Sequence, residues 1–110
     1  MKYLGNKNNY DGLEVIRVGV SKVVLTSDEL TALCPITGQP DQYTVSITIE
    51  GGYSIESKSL KLYFVSLRQE GIFCEDLAKK IKDEVRKAGA DCVVRITQKA
   101  RGGITIEATA

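Results

Sequence analysis

Cys34 and Asp41 stand at the two ends of CPITGQPD, a stretch that contains a glycine and both prolines of the chain. A loop constrained in this way can hold a thiol and a carboxylate at one small cavity. A thiolate is a strong nucleophile near neutral pH, and a carboxyl group raised in pKa by burial can supply a proton. Taken alone, the pair reads more simply as a buried structural cysteine and a surface turn aspartate. A second group lies in ESKSLKLY, residues 56–63, where Ser57, Lys58 and Lys61 crowd the start of a helical pattern. The free N–H groups of a first helical turn, with hydroxyl and ammonium donors beside them, form a natural anion seat. Two lysines on one helix face are otherwise a solvated surface.

Glu75 follows Phe73-Cys74 at the head of a second helical pattern. Its carboxylate could accept paired hydrogen bonds from a guanine-like ring N–H and amine, or serve only as a first-turn partner of the helix dipole. Arg101-Gly102-Gly103 could approach a phosphate, but by itself reads as a hairpin turn. The chain has no histidine. Ser-His and Cys-His activation and every His-containing metal site are thereby excluded. Three cysteines, Cys34, Cys74 and Cys92, show no repeated spacing and suggest neither a disulfide framework nor a zinc site.

The elements that must position these residues follow from periodicity. Tyr3 to Tyr10 is Gly/Asn-rich and polar, and reads as part of an extended arm over residues 1–12. Lys22–Thr26 reads as a strand, residues 34–42 as an ordered loop, and Tyr43 to Glu50 as a half-buried strand ended by Gly51-Gly52. Ser57 is placed to cap a helix whose Leu60, Tyr63, Phe64 and Leu67 recur at i, i+3, i+4 and i+7. A second helix starts around Glu75 and Asp76, carries the stripe Leu77, Ile81, Val85 and Ala88, and stops at Gly89. Cys92, Val94 and Ile96, then Ile104, Ile106 and Ala108, alternate in two last strands separated by KARGG. The order ββααββ predicts an α+β fold, an antiparallel four-stranded sheet with two helices on one face. Its open edges predict a homo-oligomer.

At 110 residues the chain is read as one domain, and 15 basic against 14 acidic residues leave a net charge of +1. Such a balance argues against direct nucleic-acid binding, which needs a dominant basic face. No run is apolar enough to span a membrane, and the first nine residues lack the apolar core of a signal peptide, so a cytoplasmic location is expected.

Read in order, CPITGQPD at 34–41, IESKSLKLY at 55–63, SLRQEGIFCED at 66–76 and RGGITI at 101–106 resemble the 7-cyano-7-deazaguanine reductase (QueF) family, nitrile reductases of the queuosine pathway. LGN at 4–6 and Leu13-Glu14 resemble the start of its short, single-domain form. The resemblance implies that Cys34 adds to a nitrile carbon to form a covalent thioimide and that Asp41 protonates the nitrile nitrogen. It implies substrate contacts from Ile55, Glu56 and Ser57, and recognition of the deazaguanine by Glu75. It also implies NADPH contacts from Ser57, Lys58, Lys61, Arg101 and Gly102, with no metal. The implied fold is the tunnelling fold (T-fold), assembling into an oligomeric barrel, typically two stacked pentamers with sites between subunits.

Two departures stand out. The family places His before the substrate-binding Glu, whereas Cys74 stands there in this chain. A thiol is a weak donor and cannot carry imidazole's charge. Cys74 is carried over as a substrate-binding position in place of that His, and is also a candidate partner for a protective disulfide with Cys34. The chain also stops at Ala110 where the family carries a longer tail, so a subunit contact could be trimmed. Two further functions fit the residues. One is the amidine-forming branch, which adds ammonia to the thioimide and lacks the cofactor signature; the other is a non-catalytic deazaguanine-binding module. Zinc-dependent members of the fold are disfavoured for want of histidine.

Overall fold

The computed structural model describes residues 9–110; the expected arm and the LGN stretch fall almost wholly outside the described residues. The strands are β1 (Val15–Arg17), β2 (Lys22–Leu33), β3 (Pro40–Glu50), β4 (Tyr53–Ile55), β5 (Val93–Arg101) and β6 (Ile104–Thr109), with helices α1 (Ser57–Ser66) and α2 (Cys74–Ala88) between β4 and β5. Strands β2-β3-β5-β6 form an antiparallel four-stranded sheet in that order. This is the expected α+β arrangement.

Alternation along β3 decides which face is covered. Asp41, Tyr43, Val45, Ile47 and Ile49 are buried, and the residues between them lie on the more open face. On the covered side α2 contributes Cys74, Leu77, Ala78, Ile81 and Val85, and α1 contributes Leu60, Tyr63 and Phe64. Gly89 ends α2 in the left-handed conformation at φ 112°, and its N–H returns to the carbonyls of Arg86 and Val85. Tyr10 packs its ring on Tyr63 at 5.1 Å between centroids and donates its hydroxyl hydrogen to Glu84, fastening the start of the described chain to the helical layer.

Four features differ from expectation. First, β2 is twelve residues long rather than five, because a bulge between Ser27 and Leu30 lets pairing resume at Leu30–Tyr43 and run on to Leu33–Pro40. The apolar alternation breaks at SDE, so the sequence pattern stops where the strand does not. Second, β3 starts at Pro40, which puts Asp41 in a strand rather than in the loop. Third, a two-stranded sheet forms from β1 and β4. Gly51 and Gly52, at φ 94° and 87°, turn the chain out of the large sheet and into this small one. Fourth, Ser57 does not cap α1. Glu56 does, accepting from the N–H groups of Lys58 at 2.8 Å and Ser59 at 2.7 Å, because its longer carboxylate spans both donors while Ser57 already lies within the helix.

Candidate functional site

A tight turn carries Cys34. The strands flanking it pair as far as Leu33–Pro40, the Cys34 N–H donates to the Gln39 carbonyl and the Gly38 N–H donates to the Cys34 carbonyl, both at 2.8 Å. Gly38 permits this closure at φ 72°. Chain direction within the turn points the Thr37 hydroxyl and the N–H groups of Thr37 and Ile36 at the sulfur. These bonds, the Thr37 hydroxyl foremost, hold the half-buried thiol below its ordinary pKa, against partial burial and the charge of Asp41. Thr37 was not among the residues singled out from the sequence, although its place three residues after a candidate nucleophile, inside a Pro/Gly turn, is a usable signal.

The sign of this effect is testable. Hydrogen bonds to the thiolate are lost in Thr37→Val, so the thiol pKa rises and the pH profile of Cys34 alkylation by iodoacetamide moves to higher pH. Thr37→Ser, which keeps the hydroxyl, is expected to retain the wild-type profile. Coincident profiles for wild type and Thr37→Val would remove Thr37 from the site.

Asp41 lies 7% exposed, two residues into β3. Pairing of β3 with β5 ends at Tyr43–Gln98, so the backbone at Pro40 and Asp41 has no partner from β5. Arg101 fills the gap: its guanidinium donates to the Pro40 carbonyl at 2.6 Å and meets Asp41 Oδ1 at 2.9 Å. It reaches there because β5 and β6 shift register between Gln98 and Arg101. Gly102 and Gly103, both at positive φ, close the hairpin as a two-residue loop. An expected cofactor contact and the expected acid are thus direct neighbours, and Gly102 is a turn residue.

The head of α2 is brought to the same end. Leu33 exchanges backbone bonds with the 70–72 segment, through Glu70 at 2.8 Å and Ile72 at 3.0 Å, and Gly71 runs alongside Pro35. Cys74, 1% exposed, docks against the Gln98 backbone, and burial pushes its thiol up to about 11. Cys34 and Cys74 are both free thiols. Glu75 lies exposed beside Cys74. Cys34, Asp41, Cys74, Glu75 and Arg101 therefore share one end of the sheet.

The helix-entrance group lies elsewhere. Ser57 and Lys61 line a cleft of about 280 Å³ with Asp28, Glu29, Leu60 and Phe64, against the β2 bulge. From Glu29 to Cys34 is five strand residues, about 16 Å. The anion seat also differs from expectation, since Glu56 already takes the N–H groups of Lys58 and Ser59. Side-chain donors on that helix face are the exposed Ser57 and Lys61, and Lys58 lies beside them, partly exposed. Ile55 is buried in the core, and the Glu56 carboxylate is engaged in the cap. Among the described residues no cluster of three or more metal-ligating side chains occurs, and no helix is long and apolar enough to cross a membrane.

Comparison with known proteins supplies the context. A family model described as "QueF-like protein" matches residues 40–110. A relative from Frankia casuarinae, named NADPH-dependent 7-cyano-7-deazaguanine reductase, is 48% identical over 74% of this chain and 67% of its own length. One of the same name from Chloroherpeton thalassium is 40% identical over 80% of this chain and 78% of its own. Among solved structures, the apo form of an archaeosine synthase, QueF-Like, superposes with a TM-score of 0.70 at 27% identity, covering 84% of this chain and 93% of the other. The ββααββ core, with its two helices on one sheet face, is that of a T-fold.

Proposed function

We propose that this chain, which belongs to the QueF-like protein family, reduces the nitrile of 7-cyano-7-deazaguanine to the aminomethyl base with NADPH. The observation that carries the reading is the closed turn that aims the Thr37 hydroxyl and the Thr37 and Ile36 N–H groups at the Cys34 sulfur, with Asp41 set by Arg101 at the start of the next strand. Sulfur adds to the nitrile carbon, one C≡N π bond breaks, and the proton given up by the thiol, taken by the Asp41 carboxylate, is passed on to nitrogen, giving a neutral thioimide and Asp41 again as a carboxylate. Arg101 fixes the orientation of that carboxylate through Oδ1. Glu75, exposed at the head of α2, accepts hydrogen bonds from the deazaguanine ring, and backbone groups near Ile55 and Glu56, with Ser57, complete the substrate contacts.

The donors at Ser57, Lys58 and Lys61 suit phosphate oxygens, and the apolar floor of their cleft, Leu60 and Phe64, suits a ring. Arg101 and Gly102 would add contacts from the other cluster. Two NADPH molecules, bound in turn, would each supply one hydride for reduction to the amine level. Residues of the two clusters lie too far apart on one chain to meet around one substrate. A homo-oligomer answers this: the edges β2 and β6 are open, Val24 is 52% exposed and Ile104 66% exposed, and a second copy at an edge would bring one chain's Ser57–Lys61 cleft to another's Cys34. Two stacked pentamers are the assembly that we propose, from a single domain acting in the cytoplasm on a free base rather than on nucleic acid.

A second reading draws on the likeness to the archaeosine synthase structure. In it the same thioimide is attacked by ammonia and NADPH is untouched. Mixing the purified protein with 7-cyano-7-deazaguanine and NADPH separates the two. Oxidation of two NADPH per nitrile supports the reductase. An adduct on Cys34 with ammonia uptake and stable NADPH supports the amidine reading. No adduct and no oxidation leaves only a binding module.

A further inference from the structure

Tyr43 is 2% exposed, and its hydroxyl oxygen is buried without a hydrogen-bond partner among the described residues. Leaving such a group unpaired is unfavourable, and a phenylalanine at the same position would avoid it. The position is specific. Tyr43 lies two residues after Asp41 on the same face of β3, about 7 Å along the strand. Across the sheet it pairs with Gln98, the residue whose backbone receives the Cys74 sulfur. Asp41, Cys74, Cys34 and Arg101 all bear electrostatically on its phenol.

The chemistry of these neighbours leaves one role open. Cys34 as a thiolate donates no hydrogen bond. Asp41 is held by Arg101, whose guanidinium faces its Oδ1 and the Pro40 carbonyl. Cys74 is a neutral thiol and therefore a weak donor. Burial first, and then the charge of Asp41, drive the Tyr43 phenol above its ordinary pKa, while Arg101 opposes them. The phenol therefore keeps its proton, and can act as a donor but not as a base.

We propose that the Tyr43 hydroxyl donates a hydrogen bond to the substrate nitrogen that Asp41 protonates. The inference rests on the thioimide reading above and adds a residue to it. A preorganised donor aimed at an atom where charge develops stabilises the transition state more than the ground state. Among the described residues the hydroxyl has no partner, and the nitrile nitrogen would provide one.

Tyr43→Phe removes a single oxygen. Expected are an unfolding temperature equal to or above wild type, since an unpaired buried group has gone, and an unchanged rate of Cys34 alkylation by iodoacetamide. Expected alongside them is a fall of about tenfold to a hundredfold in both kcat/KM for nitrile reduction and the rate of adduct formation on Cys34. Activity within twofold of wild type overturns the inference and leaves the reductase reading intact. A loss of activity that tracks a lowered unfolding temperature or slowed alkylation also overturns it, since the hydroxyl would then be structural. A wild-type protein that forms no adduct overturns the reading and the inference together.

Discussion

Cys34→Ala is expected to abolish the covalent adduct with 7-cyano-7-deazaguanine and to lower NADPH oxidation by at least about 10³-fold, the scale expected when a covalent nucleophile is removed. A nitrile is a poor hydride acceptor until sulfur has added to its carbon, so without the thiol there is no activated carbon to reduce. Cys34→Ser is expected to be no better than Cys34→Ala. A serine hydroxyl needs a base to become a nucleophile, and a chain without histidine has no imidazole to offer. The turn that favours a thiolate through Thr37 and Ile36 does not bring an alkoxide near neutral pH. Mass spectrometry of the intact protein after incubation with the nitrile, beside the NADPH assay, reads both effects. Adduct mass on the alanine variant would move the nucleophile to another residue.

The second large effect belongs to Asp41→Asn. Loss of a positioned general acid costs about 10²–10⁴-fold in rate. The amide keeps an oxygen for Arg101 and can sit in the same pocket, but it has no proton of suitable acidity for the nitrile nitrogen. Stability should change little. The pair joins a buried carboxylate to an Arg101 side chain that is 39% exposed, and such partly solvated pairs contribute at most about 1 kcal/mol. Urea unfolding within about 1 kcal/mol of wild type, together with a hundredfold or greater loss of kcat, is the expected result. An Asp41→Asn variant of near-normal kcat would require another acid, and the buried Tyr43 phenol, raised in pKa, is poorly suited to that task.

Arg101 links these predictions to the cofactor. The resemblance assigned it to NADPH, whereas in the folded chain it meets Asp41 and the Pro40 carbonyl. Its exposure leaves it able to do both in turn, since a phosphate arriving at the sheet end would compete with the carboxylate for the same guanidinium. Geometry of this kind comes from the shift in register between β5 and β6, which no residue in KARGG announces.

What the sequence determined by itself was what local rules govern. The alternation of Tyr43, Val45, Ile47 and Ile49, the stripe of Leu77, Ile81 and Val85, and the stop at Gly89 gave the main strands and helices, because periodic burial and left-handed glycine caps are properties of short segments. The ordered motifs from CPITGQPD to RGGITI gave the family. Tertiary structure decided what depends on partners distant in the chain. β2 continues past its bulge only because β3 is there to pair with it. Asp41 becomes a strand residue by the same pairing, and Cys74 comes to the same end of the sheet as Cys34 because Leu33 binds the 70–72 segment. The unpaired hydroxyl of Tyr43 and the separation of the two donor clusters are likewise facts of packing: which atoms meet depends on the third dimension, which periodicity along a chain does not specify.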